Sequence, residues 1–111
     1  MRVLMCGGRN FHNYRAVFQV LKTLGPELVV LGGAPGCDTA AQAAAEALKI
    51  PVGLYKADWA RHGGRAGPLR NKRMLAEGRP DLVVAFPGGL GTLDMTTRAR
   101  QAGVTVLEWK T

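Results

Sequence analysis

Three clusters of glycine are the part of this sequence best suited to chemistry, because each is dense and lies among residues that could bind an anion. They occupy residues 7–9 (Gly-Gly-Arg), 32–38 (Gly-Gly-Ala-Pro-Gly-Cys-Asp) and 87–92 (Pro-Gly-Gly-Leu-Gly-Thr). Glycine lets the backbone approach a ligand closely, and the free N–H groups at the start of a helix bind phosphate. The clusters therefore predict phosphate binding. For any one of them, a purely structural role in a tight turn is the alternative.

The segments around these clusters alternate between apolar runs and stretches with helical spacing. Five apolar runs predict buried strands at residues 2–6, 27–31, 52–55, 81–86 and 104–107. Four stretches predict helices at residues 14–24, 38–49, 69–77 and 92–102. Asn13 is the expected N-cap of the first helix. Residues 56–68 have neither pattern and predict a long irregular loop, a feature that is often functional.

Continuously apolar strands that alternate with helices are typical of a parallel sheet covered by helices on both faces. The sequence therefore predicts the α/β class, as a Rossmann-like three-layer sandwich with a five-stranded parallel sheet. Because crossover connections are right-handed, the expected strand order is 3-2-1-4-5. Each glycine cluster follows the carboxyl end of a strand, so the clusters are expected to meet at the edge of the sheet where ligands bind.

Length, composition and charge limit the class of protein. The 111 residues predict one domain, residues 1–111, and a hydrophobic content of 47% argues against disorder. The first ten residues lack a signal-peptide pattern, and the two cysteines are too few for a secreted disulfide framework. We expect a cytoplasmic protein with free thiols, no membrane contact, no structural metal and no cofactor. The net charge of +7 favours an anionic partner.

Neither the P-loop sequence nor the dinucleotide-binding sequence Gly-x-Gly-x-x-Gly occurs in this chain. Residues 32–38, 66–74 (Ala-Gly-Pro-Leu-Arg-Asn-Lys-Arg-Met) and 87–92 instead resemble the SLOG superfamily, and within it the YspA-like, cpYpsA-related branch. The similarity extends over essentially the whole chain. It implies a domain that binds nucleotides or nucleotide-derived ligands, as an enzyme in some relatives and as a proposed sensor in others. It is also compatible with a homodimer.

The resemblance to a distant group of this superfamily, the Lonely Guy phosphoribohydrolases, is only partial. Their signature Pro-Gly-Gly-x-Gly-Thr-x-x-Glu ends in a glutamate that takes part in cleaving an N-glycosidic bond, and Met95 stands at the matching position here. Methionine cannot act as an acid or a base. Asp94, one residue earlier, would point about 100° away on a helix. Whether this protein is an enzyme is therefore open, with Asp94 and Asp38 as the candidate catalytic acids.

Individual residues in these motifs have expected roles. Arg70 could clamp a phosphate through two N–H groups, while Asp38 and Asp94 could bind ribose hydroxyls. Asp38 and Thr92 are also the expected caps of their helices. Trp59 is expected to fix the 56–68 loop to the core, with stacking on a base as the alternative. The candidate ligand-binding residues are Gly7, Gly8, Arg9, Gly32, Gly33, Ala34, Gly36, Asp38, Arg70, Asn71, Pro87, Gly88, Gly89, Gly91, Thr92 and Asp94.

Three functions follow from these features. The first is binding of a nucleotide or a phosphorylated nucleotide derivative on the glycine-rich loops, as a binding module or a sensor. The second is hydrolysis of an N-glycosidic or phosphoester bond of a nucleotide. The third is nucleic-acid binding by the basic residues in 61–73, which is not favoured because aromatic residues for base stacking make up only 6% of the chain.

Overall fold

The computed structural model of the protein describes residues 1–110 and contains a five-stranded parallel sheet. Its strands are β1 (Arg2–Cys6), β2 (Leu28–Leu31), β3 (Val52–Leu54), β4 (Leu82–Ala85) and β5 (Thr105–Glu108). The spatial order is β3-β2-β1-β4-β5, and every neighbouring pair is parallel. The predicted fold class and strand order are confirmed.

The helices form a layer on each face of the sheet. They are α1 (Tyr14–Leu24), α2 (Cys37–Ala47), the single-turn α3 (Trp59–His62), α4 (Ala66–Gly78) and α5 (Leu90–Gln101), with a 3₁₀ turn (Gly63–Arg65) before α4. Side chains alternate in direction along a strand, so Val3 and Met5 pack with α1 and α2, whereas Leu4 packs with α4 and α5. The strands are apolar on both faces for this reason.

Local capping explains where the first helix begins and ends. The Asn13 side chain accepts a hydrogen bond from the Ala16 amide at 3.1 Å, as predicted for an N-cap. Gly25 ends the helix in the left-handed conformation, with φ at 53°. The next strand then begins at Leu28 in parallel register with β1, where Arg2 pairs with Leu28.

The prediction of a long irregular loop at residues 56–68 is wrong. The Asp58 side chain accepts a hydrogen bond from the Arg61 amide and so caps the short helix α3. The 3₁₀ turn follows, and α4 begins at Ala66, with Pro68 in its first turn, where a missing N–H costs nothing. Among the described helices, none combines the length and apolar character needed to cross a membrane.

Candidate functional site

The carboxyl ends of β1, β2 and β4 meet the N-terminal half of α4 around a cleft of about 590 Å³. The cleft brings together residues from all three glycine clusters, as expected from the parallel sheet. The predicted site residues that line it are Gly7, Gly8, Arg9, Gly32, Ala34, Asp38, Arg70, Asn71, Gly89, Gly91, Thr92 and Asp94.

Four predicted ligand-binding residues do not line this cleft: Gly33, Gly36, Pro87 and Gly88. The backbones of Gly8 and Gly88 are in contact, and the Gly8 amide donates to the carbonyl of Pro87 at 2.8 Å. Gly36 has φ at 85°, and a Cβ there would overlap the carbonyl of Arg9. Gly36 and Gly88 thus lie where the loops pack against one another, which is the structural role considered for each cluster.

At the N-terminus of α2 the protein's own acceptors occupy the first helix amide and a nearby loop amide. The Cys37 amide donates to the Gly8 carbonyl at 3.1 Å, and the Ala34 amide donates to Asp38 Oδ2 at 3.1 Å. The predicted capping role of Asp38 is wrong, because the helix begins at Cys37 with Gly36 as its N-cap. Asp38 instead stabilises the preceding loop by accepting from Ala34, and it places a negative charge in the first turn of α2.

The N-terminus of α5 is open toward the cleft. Its first intrahelical hydrogen bond runs from the Leu93 amide to the Gly89 carbonyl at 3.0 Å, so the amides of Leu90, Gly91 and Thr92 precede the helical ladder. Gly89 is the N-cap, which corrects the prediction that Thr92 caps this helix. Because glycine has no side chain, it leaves these N–H groups and the positive end of the helix dipole accessible.

A chain of hydrogen bonds crosses the floor of the cleft from β2 to α5. Arg70 donates through Nη1 to the Gly32 carbonyl at 2.6 Å and through Nε to Asn71 Oδ1 at 3.0 Å. Asn71 Nδ2 in turn donates to Asp94 Oδ2 at 2.9 Å, and Arg98 Nε donates to the same oxygen at 2.9 Å. The network fixes the guanidinium of Arg70 in the cleft and leaves its other N–H groups for a ligand.

Gly32 is a glycine because Arg70 lies directly on it. A Cβ at position 32 would come within 2.8 Å of the Arg70 Cζ atom, well inside van der Waals contact. The side chain of Arg70 is therefore positioned by the backbone of the β2 loop as well as by Asn71. This contact connects the second glycine cluster with Arg70, the residue predicted to bind a phosphate.

Burial changes the acid–base properties of Asp38 and Cys6 in the cleft and of the neighbouring Cys37. Burial raises the pKa of Asp38 above its ordinary value, although the Ala34 hydrogen bond and the charge of Arg70 act in the opposite direction. Burial, together with the Asp38 carboxylate, raises the pKa of Cys6 to about 12 and also raises that of Cys37. Both cysteines are free thiols in the described chain, and neither is suited to act as a nucleophile.

Asp94, the acidic candidate on α5, and its neighbour Met95 differ in their surroundings. Met95 is buried in the apolar cluster that contains Leu4 and Met74, so it serves the core and not the cleft. Asp94 lines the cleft and is partly exposed, and its Oδ2 atom is held by Asn71 and Arg98. The Oδ1 atom of Asp94 accepts no hydrogen bond within residues 1–110, so it can accept one from a ligand.

The prediction that Trp59 fixes a loop to the core is wrong. Its side chain is 59% exposed and lines the cleft beside Gly64, Gly67 and Pro68. Sequence reasoning also missed Arg98, although its spacing of four residues from Asp94 is a usual signal for a helical ion pair. The exposed position of Trp59 had no such signal, because it depends on the unpredicted helix α3.

The basic residues of segment 61–73 have different surroundings. Arg70 points into the cleft, whereas Arg73 pairs with Glu77 at 3.2 Å and stacks over the ring of Tyr55. Arg61, Arg65 and Lys72 are exposed. Arg70 is thus the basic residue of this segment that lines the cleft, and the others lie on the surface.

Comparison with known proteins identifies the family. Residues 1–62, more than half of the chain, match the model of the YspA, cpYpsA-related SLOG family. The protein therefore belongs to this family, and the resemblance drawn from its motifs is confirmed. The chain is also 34% identical over 120 residues to the Gene 61 protein of Mycobacterium phage D29, an alignment that covers 97% of this chain and 95% of that protein.

The fold is similar to that of DNA processing protein A from Streptococcus pneumoniae. The TM-score is 0.81 at 22% identity, and the match covers 99% of this chain but 50% of that one. At this identity the likeness establishes the fold alone. The chain thus spans about half the length of that solved structure.

Proposed function

We propose that this protein binds a nucleotide or a phosphorylated nucleotide derivative in the cleft, in the manner of a sensor or binding module. The observation that carries the proposal is the placement of the open N-terminus of α5 and the fixed guanidinium of Arg70 around one cleft. Both are donors to phosphate, and they come from different elements. The cytoplasm is the compartment that we propose for this binding.

The phosphate is assigned to α5 and not to α2. At α5 the N–H groups of residues 90–92 are not used by the helix. At α2 the Gly8 carbonyl already accepts from the Cys37 amide, and the Asp38 carboxylate lies in the first turn and accepts from the Ala34 amide. A carboxylate at that position would repel a phosphate. The two glycine-rich helix starts, which look alike in sequence, are thus proposed to have different roles.

The carboxylates support binding of the sugar. Asp38 lines the cleft, and Asp94 Oδ1 has lone pairs available to hydroxyl donors. A volume of about 590 Å³ also lies within the range of roughly 300–1,000 Å³ usual for small-molecule sites. A ligand with an anionic group at one end and hydroxyl groups in the middle fits this arrangement, which is the chemistry of a nucleotide.

The proposal is tested by isothermal titration calorimetry with adenosine monophosphate and adenosine. We expect the monophosphate to bind and adenosine to bind at least about tenfold more weakly, because only the monophosphate uses the charged donors. Equal affinities would contradict the phosphate assignment. Mass spectrometry of small molecules released from the purified protein would then identify the natural ligand.

A second candidate function is hydrolysis of the N-glycosidic bond of the bound nucleotide. The buried carboxyl of Asp38 favours it, since the raised pKa keeps the proton to higher pH, as a general acid requires. Asp94 is less suited because its Oδ2 atom is already held by Asn71 and Arg98. Chromatographic detection of free base from nucleoside monophosphates, lost in Asp38→Asn, would support hydrolysis. Intact nucleotide after long incubation would leave binding alone.

A further inference from the structure

We propose that Trp59 stacks on the base of the bound ligand and thereby makes the cleft prefer nucleoside phosphates to phosphorylated sugars. The inference rests on the proposed function, because it adds a base subsite to the phosphate site at α5. It follows from the exposure of Trp59, from its place in the cleft and from the lack of any buried residue in the short helix that carries it.

The two tryptophans of the chain have opposite environments. Trp109 packs against Phe11 and Phe86, with ring centroids 5.6 Å from each, and so belongs to the aromatic part of the core. Trp59 is 59% exposed. A large aromatic side chain left open in a cleft is unusual for a structural residue and usual for a ligand contact, since the ring can still bury much of its area.

The segment that carries Trp59 is built locally and not by the core. Asp58 caps the single turn of α3, and Gly63 ends it with φ at 53°. No residue of α3 or of the following 3₁₀ turn is buried. The indole is therefore held at the rim of the cleft by a turn that contributes nothing to the hydrophobic core.

The ring position suits stacking. The indole Cη2 atom lies 3.5 Å from where a Cβ of Gly67 would be, so the ring borders the first turn of α4. Trp59 shares the cleft lining with Gly64 and Pro68 on its own side and with Gly91 of α5. A ligand whose phosphate contacts α5 would reach this wall with its other end, where a nucleotide carries its base.

The expected ligand preference follows from the chemistry of stacking. Every base has a π-face, so an indole binds adenine, guanine, cytosine and uracil with modest differences. Polar base-reading groups are not needed for this. Trp59 thus selects for the presence of a base, while the α5 amides and Arg70 select for the phosphate.

The test compares wild type with Trp59→Ala and Trp59→Phe by isothermal titration calorimetry. The probes are the four nucleoside 5′-monophosphates and ribose 5-phosphate. We expect Trp59→Ala to lose about tenfold in affinity for the monophosphates and none for ribose 5-phosphate, with much of the loss restored in Trp59→Phe. Leu69→Ala, an exposed apolar residue of α4 outside the cleft, is the matched control and should bind as wild type.

Other outcomes would overturn the inference. Equal losses for both kinds of probe, or a lower unfolding midpoint in Trp59→Ala, would make Trp59 a structural residue. Unchanged binding of the monophosphates in Trp59→Ala would exclude stacking while leaving the phosphate site intact. Wild type that binds neither kind of probe would reject the proposed function and the base subsite together.

Discussion

Asn71 of α4 and Asp94 of α5 are joined by a hydrogen bond of 2.9 Å from Nδ2 to Oδ2. Asn71 is 5% exposed, and this bond fixes which way its amide faces. With Nδ2 toward Asp94, Oδ1 faces Arg70 and accepts from Nε. The pair therefore joins two helices and also orients the guanidinium that we assign to the phosphate.

Asn71→Asp tests this relationship with almost no change in shape. The new carboxylate can still accept from Arg70, but it faces Asp94 with an oxygen where wild type has a donor. We expect the free energy of unfolding to fall by about 1–3 kcal/mol near neutral pH, as measured by urea denaturation. Lys72→Gln, on the exposed side of the same helix, should change it by less than about 0.5 kcal/mol.

Acid should partly restore the stability of Asn71→Asp. Two carboxyl groups this close hold a shared proton, and the protonated oxygen can again donate across the gap. The deficit relative to wild type should therefore shrink as the pH is lowered toward about 4. A deficit that is constant with pH would mean that the loss comes from altered packing and not from the contact between Asn71 and Asp94.

Arg70→Lys keeps the charge and removes the planar fork. The ammonium cannot donate to Gly32, Asn71 and a phosphate with the same geometry, so we expect adenosine monophosphate to bind about tenfold more weakly. Arg73→Lys is the matched control, because Arg73 lies on the same helix but pairs with Glu77. The affinity of each variant for adenosine monophosphate is measured by calorimetry. An equal loss in both variants would mean that Arg70 contributes only positive charge and not a specific contact to the phosphate.

Gly32→Ala should act through Arg70. The added methyl group overlaps the guanidinium, which is the flexible end of a side chain and can move aside, so the fold should be retained. We expect ligand affinity to fall as in Arg70→Ala, and the double variant to be no weaker than Arg70→Ala alone. Additive losses in this calorimetric cycle would contradict the coupling. Gly53→Ala, where a Cβ would make only ordinary contacts, is the control.

The strands, their order and the edge of the sheet that holds the cleft could be predicted because they depend on local sequence patterns. Continuously apolar runs such as Leu28–Leu31 specify buried parallel strands, and the right-handed crossover rule then leaves few orders. The glycine clusters likewise located the edge of the sheet. These features depend on neighbours in sequence, so they could be read without knowledge of the fold.

The unpredicted part depends on contacts between distant residues. Gly36 and Gly89, and not Asp38 and Thr92, cap their helices, and at α2 the distant Gly8 carbonyl accepts from the first helix amide. Arg70 on Gly32 joins residues 38 positions apart. The position of Trp59 required a helical turn inside a segment rich in glycine, where propensity argues against helix.

Both thiols should be unreactive in the folded protein. Burial raises the pKa of Cys6 to about 12, so the thiolate is about a thousandfold scarcer than in an ordinary cysteine of pKa 9.0. We expect Ellman's reagent at about pH 8 to label the native protein at least about 100-fold more slowly than the chain unfolded in guanidinium chloride. The unfolded chain, which should release two equivalents, is the control. Rapid labelling of one native thiol would show that the floor of the cleft opens.

Asp38 should make the protein less stable at neutral pH than it would be with a neutral group there. Because burial raises the pKa of Asp38 above its ordinary value of 3.8, the folded state holds the proton more tightly than the unfolded chain. The stability due to the protonated carboxyl is complete below about pH 3.8 and is lost as the pH rises through the folded-state pKa.

Asp38→Asn mimics the protonated form and keeps an oxygen to accept from Ala34. We expect it to unfold at higher urea concentration than wild type near neutral pH, and the difference to disappear toward about pH 4. Glu46→Gln, exposed on the same helix, should show no such trend. The variant should also bind adenosine monophosphate more weakly, since the charged acceptor for a ribose hydroxyl is gone. Gain of stability with loss of binding would mean that Asp38 is maintained for the ligand; a loss of both would make it a structural residue.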